Sequence, residues 1–275
     1  MDAAGIEPAI ALRMASVRYG AATAVDSVSL AVRPGEFVVL LGPSGAGKST
    51  VFRCLSGLVR PESGEARVLG QRVDRLGARA LREVRRSIGL VFQQHNLIGR
   101  LRAIDNVLTG CLAEAPLWRV LARRFARKDR QLALACLDRV GLLEKAWQRA
   151  DSLSGGQQQR VAIARVLAQR GRVLLADEPV ASLDPESARQ VLELLASVAR
   201  QEGMAVLCSL HQVGLAREFA DRLIGLRQGR VVFDLPAGDF READEATLYL
   251  RPSADEPTHP LSVRFAPVCD QLSPT

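Results

Sequence analysis

Gly42-Pro43-Ser44-Gly45-Ala46-Gly47-Lys48-Ser49-Thr50 follows the apolar run Phe37-Val38-Val39-Leu40-Leu41 and opens an apolar-periodic segment through Leu55. A buried strand, a glycine-rich turn and a helix start, in that order, are the setting in which a phosphate-binding loop makes physical sense. The glycines let consecutive backbone N–H groups point at phosphate oxygens. Lys48 supplies a point charge for the β- and γ-phosphates, and the Ser49 hydroxyl can ligate Mg²⁺. The flanking strand and helix argue against a merely structural glycine turn. The stretch is read as a site for ATP or GTP on an α/β scaffold.

At 275 residues the chain can bury a full α/β core in one or two domains, and its composition is that of a globular protein, 48% hydrophobic and 24% charged. Met1 to Pro8 carries acids and a proline where a secretory signal needs a basic start and an apolar run. No uninterrupted apolar stretch approaches the ~20 residues that cross a bilayer. The expectation is a soluble chain, or one held at a membrane by partners. Cys54, Cys111, Cys136, Cys208 and Cys269 are scattered without metal-ligand spacing, and are expected to be reduced thiols of a cytoplasmic protein.

A formal charge of +7 and a pI near 9.7 raise the question of nucleic acid. Aromatic residues are only 4%, and no stretch interleaves Arg or Lys with stacking side chains. A surface facing anionic lipid accounts for the charge equally well.

Upstream of the loop, alternating runs from Leu12 to Tyr19 and Ala24 to Val32, separated by Gly20-Ala21-Ala22, predict antiparallel strands. Tyr19 is either a half-buried strand tyrosine or a ring on which a base stacks. Downstream, a short strand is predicted over Glu65 to Leu69, a basic helix over Ala78 to Arg86, and a buried strand over Ser87 to Phe92. That strand ends in Gln93-Gln94-His95-Asn96, and polar groups at the end of a core strand are where open α/β sheets meet ligands. His95 has no histidine cluster around it and is read as structural. Residues from about Arg102 to Ala150 read as helical. If one helix is continuous there, Arg119, Arg123, Arg127 and Arg130 share a face and Leu117, Leu121 and Phe125 another. Such a basic face rests on acidic headgroups or an acidic partner, or is simply solvated.

Leu153-Ser154-Gly155-Gly156-Gln157 opens a second helix, and on those residues alone Ser154 is an ordinary N-cap or part of an anion-binding helix start. Val173-Leu174-Leu175-Ala176-Asp177-Glu178 is a buried strand ending in two carboxylates. Asp177 suits the Mg²⁺-water ligand of a phosphate-loop nucleotidase, and Glu178 is placed to polarise the attacking water. A helix from Glu186 to Arg200, a strand from Met204 to Ser209, His211, a helix from Val213 to Ala220, and strands Arg222 to Leu226 and Val231 to Asp234 follow. Five prolines between Arg251 and Thr275 predict an irregular tail.

In this order the residues resemble the nucleotide-binding subunit of ATP-binding-cassette transporters, over about Leu12 to Asp234. Gly42 to Ser49 matches the Walker A loop, with Thr50 beside it, and Val173 to Asp177 the Walker B strand with Glu178 as catalytic glutamate. Leu153 to Gln157 matches the family signature, Gln93 the Q-loop glutamine and Mg²⁺ ligand, Ser182-Leu183-Asp184 the D-loop, and His211 the switch histidine. Tyr19 falls where the family stacks adenine, which favours its stacking role and a binding role for Ser154. The resemblance implies an α/β P-loop cassette over residues 10–235: a RecA-like core, an antiparallel β subdomain and a helical signature subdomain at about 102–168. Residues 236–275 are left as an extension. It also implies two cassettes facing head to tail, so that ATP and Mg²⁺ on one loop are covered by Ser154, Gly155, Gly156 and Gln157 of the other, with Asp184 at the shared surface. One copy of each motif implies a homodimer. Membrane permease subunits and an extracytoplasmic binding protein complete the implied assembly, on the cytoplasmic face of the bacterial inner membrane.

Asn106 to Leu112 with Pro116-Leu117-Trp118-Arg119, the run Ala176 to Ser187, and Leu210-His211-Gln212-Val213 look like the phosphonate-importer ATPases of bacteria. Val180 replaces the threonine of the wider family, as that subgroup usually does, whereas Gly214-Leu215 departs from its usual acid and aromatic. Alternatives are an importer for phosphite or phosphate, an exporter or lipoprotein-release ATPase with the same catalytic residues, and a soluble cassette acting on ribosomes or DNA. The last generally carries two cassettes or a long coiled-coil insertion, and this chain has neither.

Overall fold

The computed structural model describes residues 7–92, 96–113, 125–249 and 264–265. β1 (Ile10–Tyr19) and β2 (Ala22–Val32) pair antiparallel, as their alternation predicts, with Tyr19 opposite Ala22 at the turn. β3 (Phe37–Leu41) is buried at every position and leads into α1 (Lys48–Leu55). β4 (Ser63–Val68) begins two residues before the predicted strand, and the short β5 (Gln71–Arg72) is an addition. These form a four-stranded sheet ordered β2-β1-β4-β5.

α2 (Ala78–Arg86) delivers the chain to β6 (Ile88–Phe92). The segment expected to be helical from Arg102 contains α3 (Ala103–Leu108), a 3₁₀ turn at Thr109–Ala113 and α4 (Arg127–Arg139), followed by shorter 3₁₀ turns. Ala126 is extended, with φ −65° and ψ 157°, and its amide donates to the Asp129 carboxylate. A helix running unbroken through residue 126 is therefore excluded, and Arg127 and Arg130 belong to the first turn of a new one. Leu117, Arg119, Leu121 and Arg123 lie outside the described residues. α5 (Gly155–Ala168) follows, packed on α3 and α4.

β7 (Val173–Asp177), α6 (Pro185–Glu202), β8 (Ala205–Leu210), α7 (Val213–Phe219), β9 (Arg222–Arg227) and β10 (Arg230–Pro236) complete the predicted alternation. Beyond them, α8 (Glu242–Tyr249) folds back, and Phe240 packs edge-on to Phe233 at 5.6 Å between ring centroids. β11 (Arg264–Phe265) adds a short parallel strand within the tail expected to be irregular. The second sheet has seven strands, β11-β10-β9-β3-β8-β7-β6, with β3 parallel to both β8 and β9.

Alternate residues of the central strands enter two cores. Phe37, Val39, Leu41, Leu174, Ala176, Val206 and Cys208 face the helices α3 to α7. Val38, Leu40, Val173, Leu175, Ala205 and Leu207 face α1 and the four-stranded sheet. Burial on both faces explains why these strands read as unbroken apolar runs rather than as alternation. Register then brings the strand ends together: Leu41 pairs with Leu210 and Gly225, and Asp177 with Ser209 and Phe92. The carboxyl ends of β3, β6, β7, β8 and β9 thus share one edge, where ligands are met in open α/β sheets.

Arg222 ties the sheets at the other end. Its Nε donates to Asp234 Oδ1 at 2.7 Å, Nη1 to Glu36 Oε1 at 2.7 Å, and Nη2 to the Ala31 carbonyl. Both Arg222 and Asp234 are buried. Without Asp234 the buried guanidinium keeps Glu36 as its one carboxylate partner, so Asp234→Ala is expected to cost about 1.5–3 kcal/mol in urea-induced unfolding, the scale of a lost hydrogen bond to a charged group. A midpoint equal to that of the unmodified chain would show that the network contributes nothing net.

Candidate nucleotide site

Gly47 caps α1 with φ 106°, a conformation that disfavours a side chain, and a Cβ there would come within 2.3 Å of the Ala24 carbonyl oxygen. A Cβ on Gly42 would come within 2.2 Å of the Leu226 carbonyl oxygen. The loop is therefore pressed between β2 and the end of β9. From the turn after β9, the Gly229 amide donates to the Ala46 carbonyl at 3.0 Å, bracing the loop from outside. Among the described residues the amides of Gly45, Gly47, Lys48 and Ser49 meet no acceptor. They form a cluster of free donors at a helix N-terminus, which suits phosphate oxygens. Ser44, Gly45 and Ser49 are exposed on its outer side, Pro43 is half-buried, and Ala46 and Thr50 are buried.

Lys48 is 5% exposed, and its Nζ donates to the carbonyls of Gly42 at 2.7 Å and Pro43 at 3.1 Å. It also lies 3.9 Å from Glu178 Oε1. Burial pulls the lysine pKa down, and the Glu178 and Asp177 carboxylates oppose that pull. On the other side of Glu178, His211 Nε2 sits 2.5 Å from the same Oε1. Two residues far apart in sequence thus converge on one carboxylate oxygen of a third. Glu178 itself has φ 51°, a left-handed conformation costing about 1–3 kcal/mol outside glycine, concentrated at functional sites. Asp177 ends β7 beside it, at the strand edge already predicted for it.

Ser209 was not among the predicted site residues, yet its Oγ accepts from the Glu178 amide at 2.9 Å and donates to Asp177 Oδ1 at 2.7 Å. Its signal in the sequence is a single hydroxyl inside an apolar strand, two residues before His211. Tyr249, in the segment after β10, donates to the His211 carbonyl at 3.2 Å.

The signature residues sit elsewhere. Ser154 caps α5: its Oγ accepts from the Gln157 amide at 3.4 Å, and Gln157 Oε1 accepts from the Ser154 amide at 3.2 Å. This reciprocal pair is a capping box. A Cβ on Gly155 would press to 3.2 Å from Leu183, and one on Gly156 to 2.8 Å from Ser187, so both glycines permit close packing on the start of α6. Asp184 caps α6 by accepting from the Ser187 amide at 2.9 Å, and hydrogen bonds from Ser187 hold its carboxyl below the usual range. No hydrogen bond or ion pair among the described residues joins Ser154 to Gln157 with the phosphate loop of the same chain. Tyr19 is 46% exposed at the β1–β2 turn. Gln93 lies outside the described residues, as does His95.

Residues 25–181, more than half of the chain, match the ABC transporter family. The chain belongs to that family. The phosphonates import ATP-binding protein of Nocardia farcinica is 52% identical to this cassette over 85% of this chain and 87% of its own. The hypophosphite import ATP-binding protein of Stutzerimonas stutzeri is 49% identical over 93% of this chain and 75% of its own. The phosphate-import ATP-binding protein of Mycolicibacterium smegmatis is 51% identical over 90% and 94%. Among solved structures, a dimeric ATP-binding cassette in a post-hydrolysis state with ADP and Pi bound superposes with a TM-score of 0.72. It is 33% identical, covering 84% of this chain and all of that one. The seven-stranded sheet with its phosphate loop and helical part is the fold of an ABC ATPase, and the cassette is an ATP-binding one.

The four described cysteines, Cys54, Cys111, Cys136 and Cys208, are buried and in no disulfide, and burial pushes Cys54 and Cys136 up to about 11. No cluster of metal-ligating side chains occurs among the described residues, nor any helix long and apolar enough to cross a membrane.

Proposed function

We propose that the cassette is the ATP-hydrolysing, energy-coupling subunit of a bacterial importer for phosphonates. The observation that carries the hydrolytic reading is the convergence of Lys48 Nζ, at 3.9 Å, and His211 Nε2, at 2.5 Å, on Glu178 Oε1. The free amides of the loop and Lys48 receive the phosphates. Glu178 accepts a proton from the attacking water, and His211 holds that carboxylate in place. Tyr19 offers its exposed ring to adenine. The donor set suits a hard cation: the Asp177 carboxylate, with one oxygen engaged by Ser209, and the exposed Ser49 hydroxyl in the first turn of α1. Ser49, Asp177 and, by family resemblance, Gln93 would hold Mg²⁺, which when bound neutralises charge on the β- and γ-phosphate oxygens.

Ser154, Gly155, Gly156, Gln157 and Asp184 act on ATP held by a second copy, which the dimeric state of the solved relative supports. The homodimer then drives permease subunits, with an extracytoplasmic binding protein delivering the cargo, from the cytoplasmic face of the inner membrane. No nucleic acid is involved. We assign residues 10–235 to the cassette, with 102–168 as its helical part, and 236–275 to an extension. The phosphonate cargo rests on the names of the relatives; phosphite, hypophosphite and phosphate are the kindred alternatives. The test is ATPase activity of the cassette reconstituted with its permease and a binding protein preloaded with each anion. Stimulation is expected to be strongest with an organophosphonate. Stimulation by phosphate alone would move the cargo to the inorganic anion, and none by any of them would sink the import reading.

A further inference from the structure

The Ser209 hydroxyl has a direction that its neighbours dictate. The Glu178 amide can only donate, so Ser209 Oγ accepts there, at 2.9 Å. Its single proton therefore goes to Asp177 Oδ1, at 2.7 Å. Ser209 is fully buried, and it stands directly beside Asp177 in the parallel register of β7 and β8. Ala205 and Leu207, the same-face neighbours on β8, are apolar members of the core facing α1. A hydroxyl on that face has no packing purpose that alanine or valine would not serve, and both of its hydrogen bonds end on the two acidic residues. The amide it receives belongs to a residue with φ 51°, held in a conformation that persists only where its surroundings over-determine it.

We propose that Ser209 is a positioning residue that clamps Asp177 and Glu178 as one unit. By donating to Oδ1 it fixes the carboxylate plane of Asp177 and leaves Oδ2 for the cation shell. By accepting from the Glu178 amide it stabilises the turn that aims the Glu178 side chain at Lys48 and His211. The orientation of the cation ligand and that of the general base are then set by one buried hydroxyl. This rests on the ATPase reading given above.

The test compares Ser209→Ala with Ser209→Thr, which keeps the hydroxyl. Ser209→Cys provides the hydroxyl-free comparison should the alanine chain fail to give a cooperative melting transition. Loss of the hydroxyl is expected to lower kcat about 10- to 100-fold with little change in KM for ATP, since small misplacements of reacting groups carry penalties of that size. It is also expected to raise the Mg²⁺ concentration for half-maximal hydrolysis about 10-fold, the usual scale for loss of a hydrogen bond behind a metal ligand. A readout independent of turnover is amide hydrogen exchange at Glu178 in nucleotide-free protein, which should accelerate in the hydroxyl-free variants and stay slow with threonine. Unchanged Mg²⁺ requirement, kcat and Glu178 exchange in those variants would overturn the proposal, and so would equal losses with threonine. If the unmodified cassette hydrolysed no ATP, the ATPase reading would fall, and the exchange comparison alone would decide for or against the clamp.

Discussion

Glu178→Gln is expected to leave ATP bound and to slow its hydrolysis by about 10²- to 10⁴-fold, the share that a positioned general base contributes. Glutamine keeps the shape and a carbonyl oxygen that His211 can still donate to across the 2.5 Å contact. It removes the negative charge and the site that takes a proton from water. It also removes the carboxylate near Lys48 Nζ, so nucleotide affinity should be held or improved as the lysine turns wholly to phosphate. Single-turnover hydrolysis against equilibrium binding of a fluorescent ATP separates the two effects. Turnover near that of the unmodified chain would take the base away from Glu178, while lost binding with it would make the residue structural.

The second large effect is expected at Ser154, which among the described residues has no hydrogen bond to its own chain's phosphate loop. Ser154→Arg replaces the N-cap of α5 with a long cation, costing about 1 kcal/mol as a lost cap. The fold should absorb that, because α5 is held by packing on α3, α4 and α6. What should be lost is the surface offered to the other subunit: each chain still binds ATP, yet ATP-dependent dimers disappear and hydrolysis falls to background. Sedimentation in the Glu178→Gln background reads this directly. Dimers that persist there would refute the shared site.

The framework of the candidate site was legible because its signals are local. The apolar strands at Phe37 and Val173, the glycines and lysine between Gly42 and Lys48, and the acid pair at Asp177-Glu178 each announce themselves within ten residues. Val180 and Leu210-His211-Gln212-Val213 pointed correctly to relatives that import phosphorus oxyanions. What escaped depends on partners distant in sequence. Asn106 reads as one polar residue in a helix, but it is buried and bonds the amide and carbonyl of Ile98, tying that residue to α3. The helix start after Ala126 has neither glycine nor proline to mark it, only Asp129 at the third helical position. Ser209 looks like an imperfection in a strand until β7 is laid beside it. The packing of Phe240 on Phe233 is likewise invisible to a periodicity that ends at Pro236.

The position of β3 between β8 and β9 has a consequence for the newborn chain. Emerging from a ribosome, the phosphate loop is made early relative to its supports: both neighbours of its strand, and the Gly229 amide that braces Ala46, follow more than 150 residues later. Contacts of such sequence separation form slowly and only once both ends exist. During synthesis the loop is thus an unfinished cradle. A chain released before Gly229 should fail to retain ATP although the whole loop from Gly42 to Thr50 is already present, and it is the last hairpin that arms the first motif.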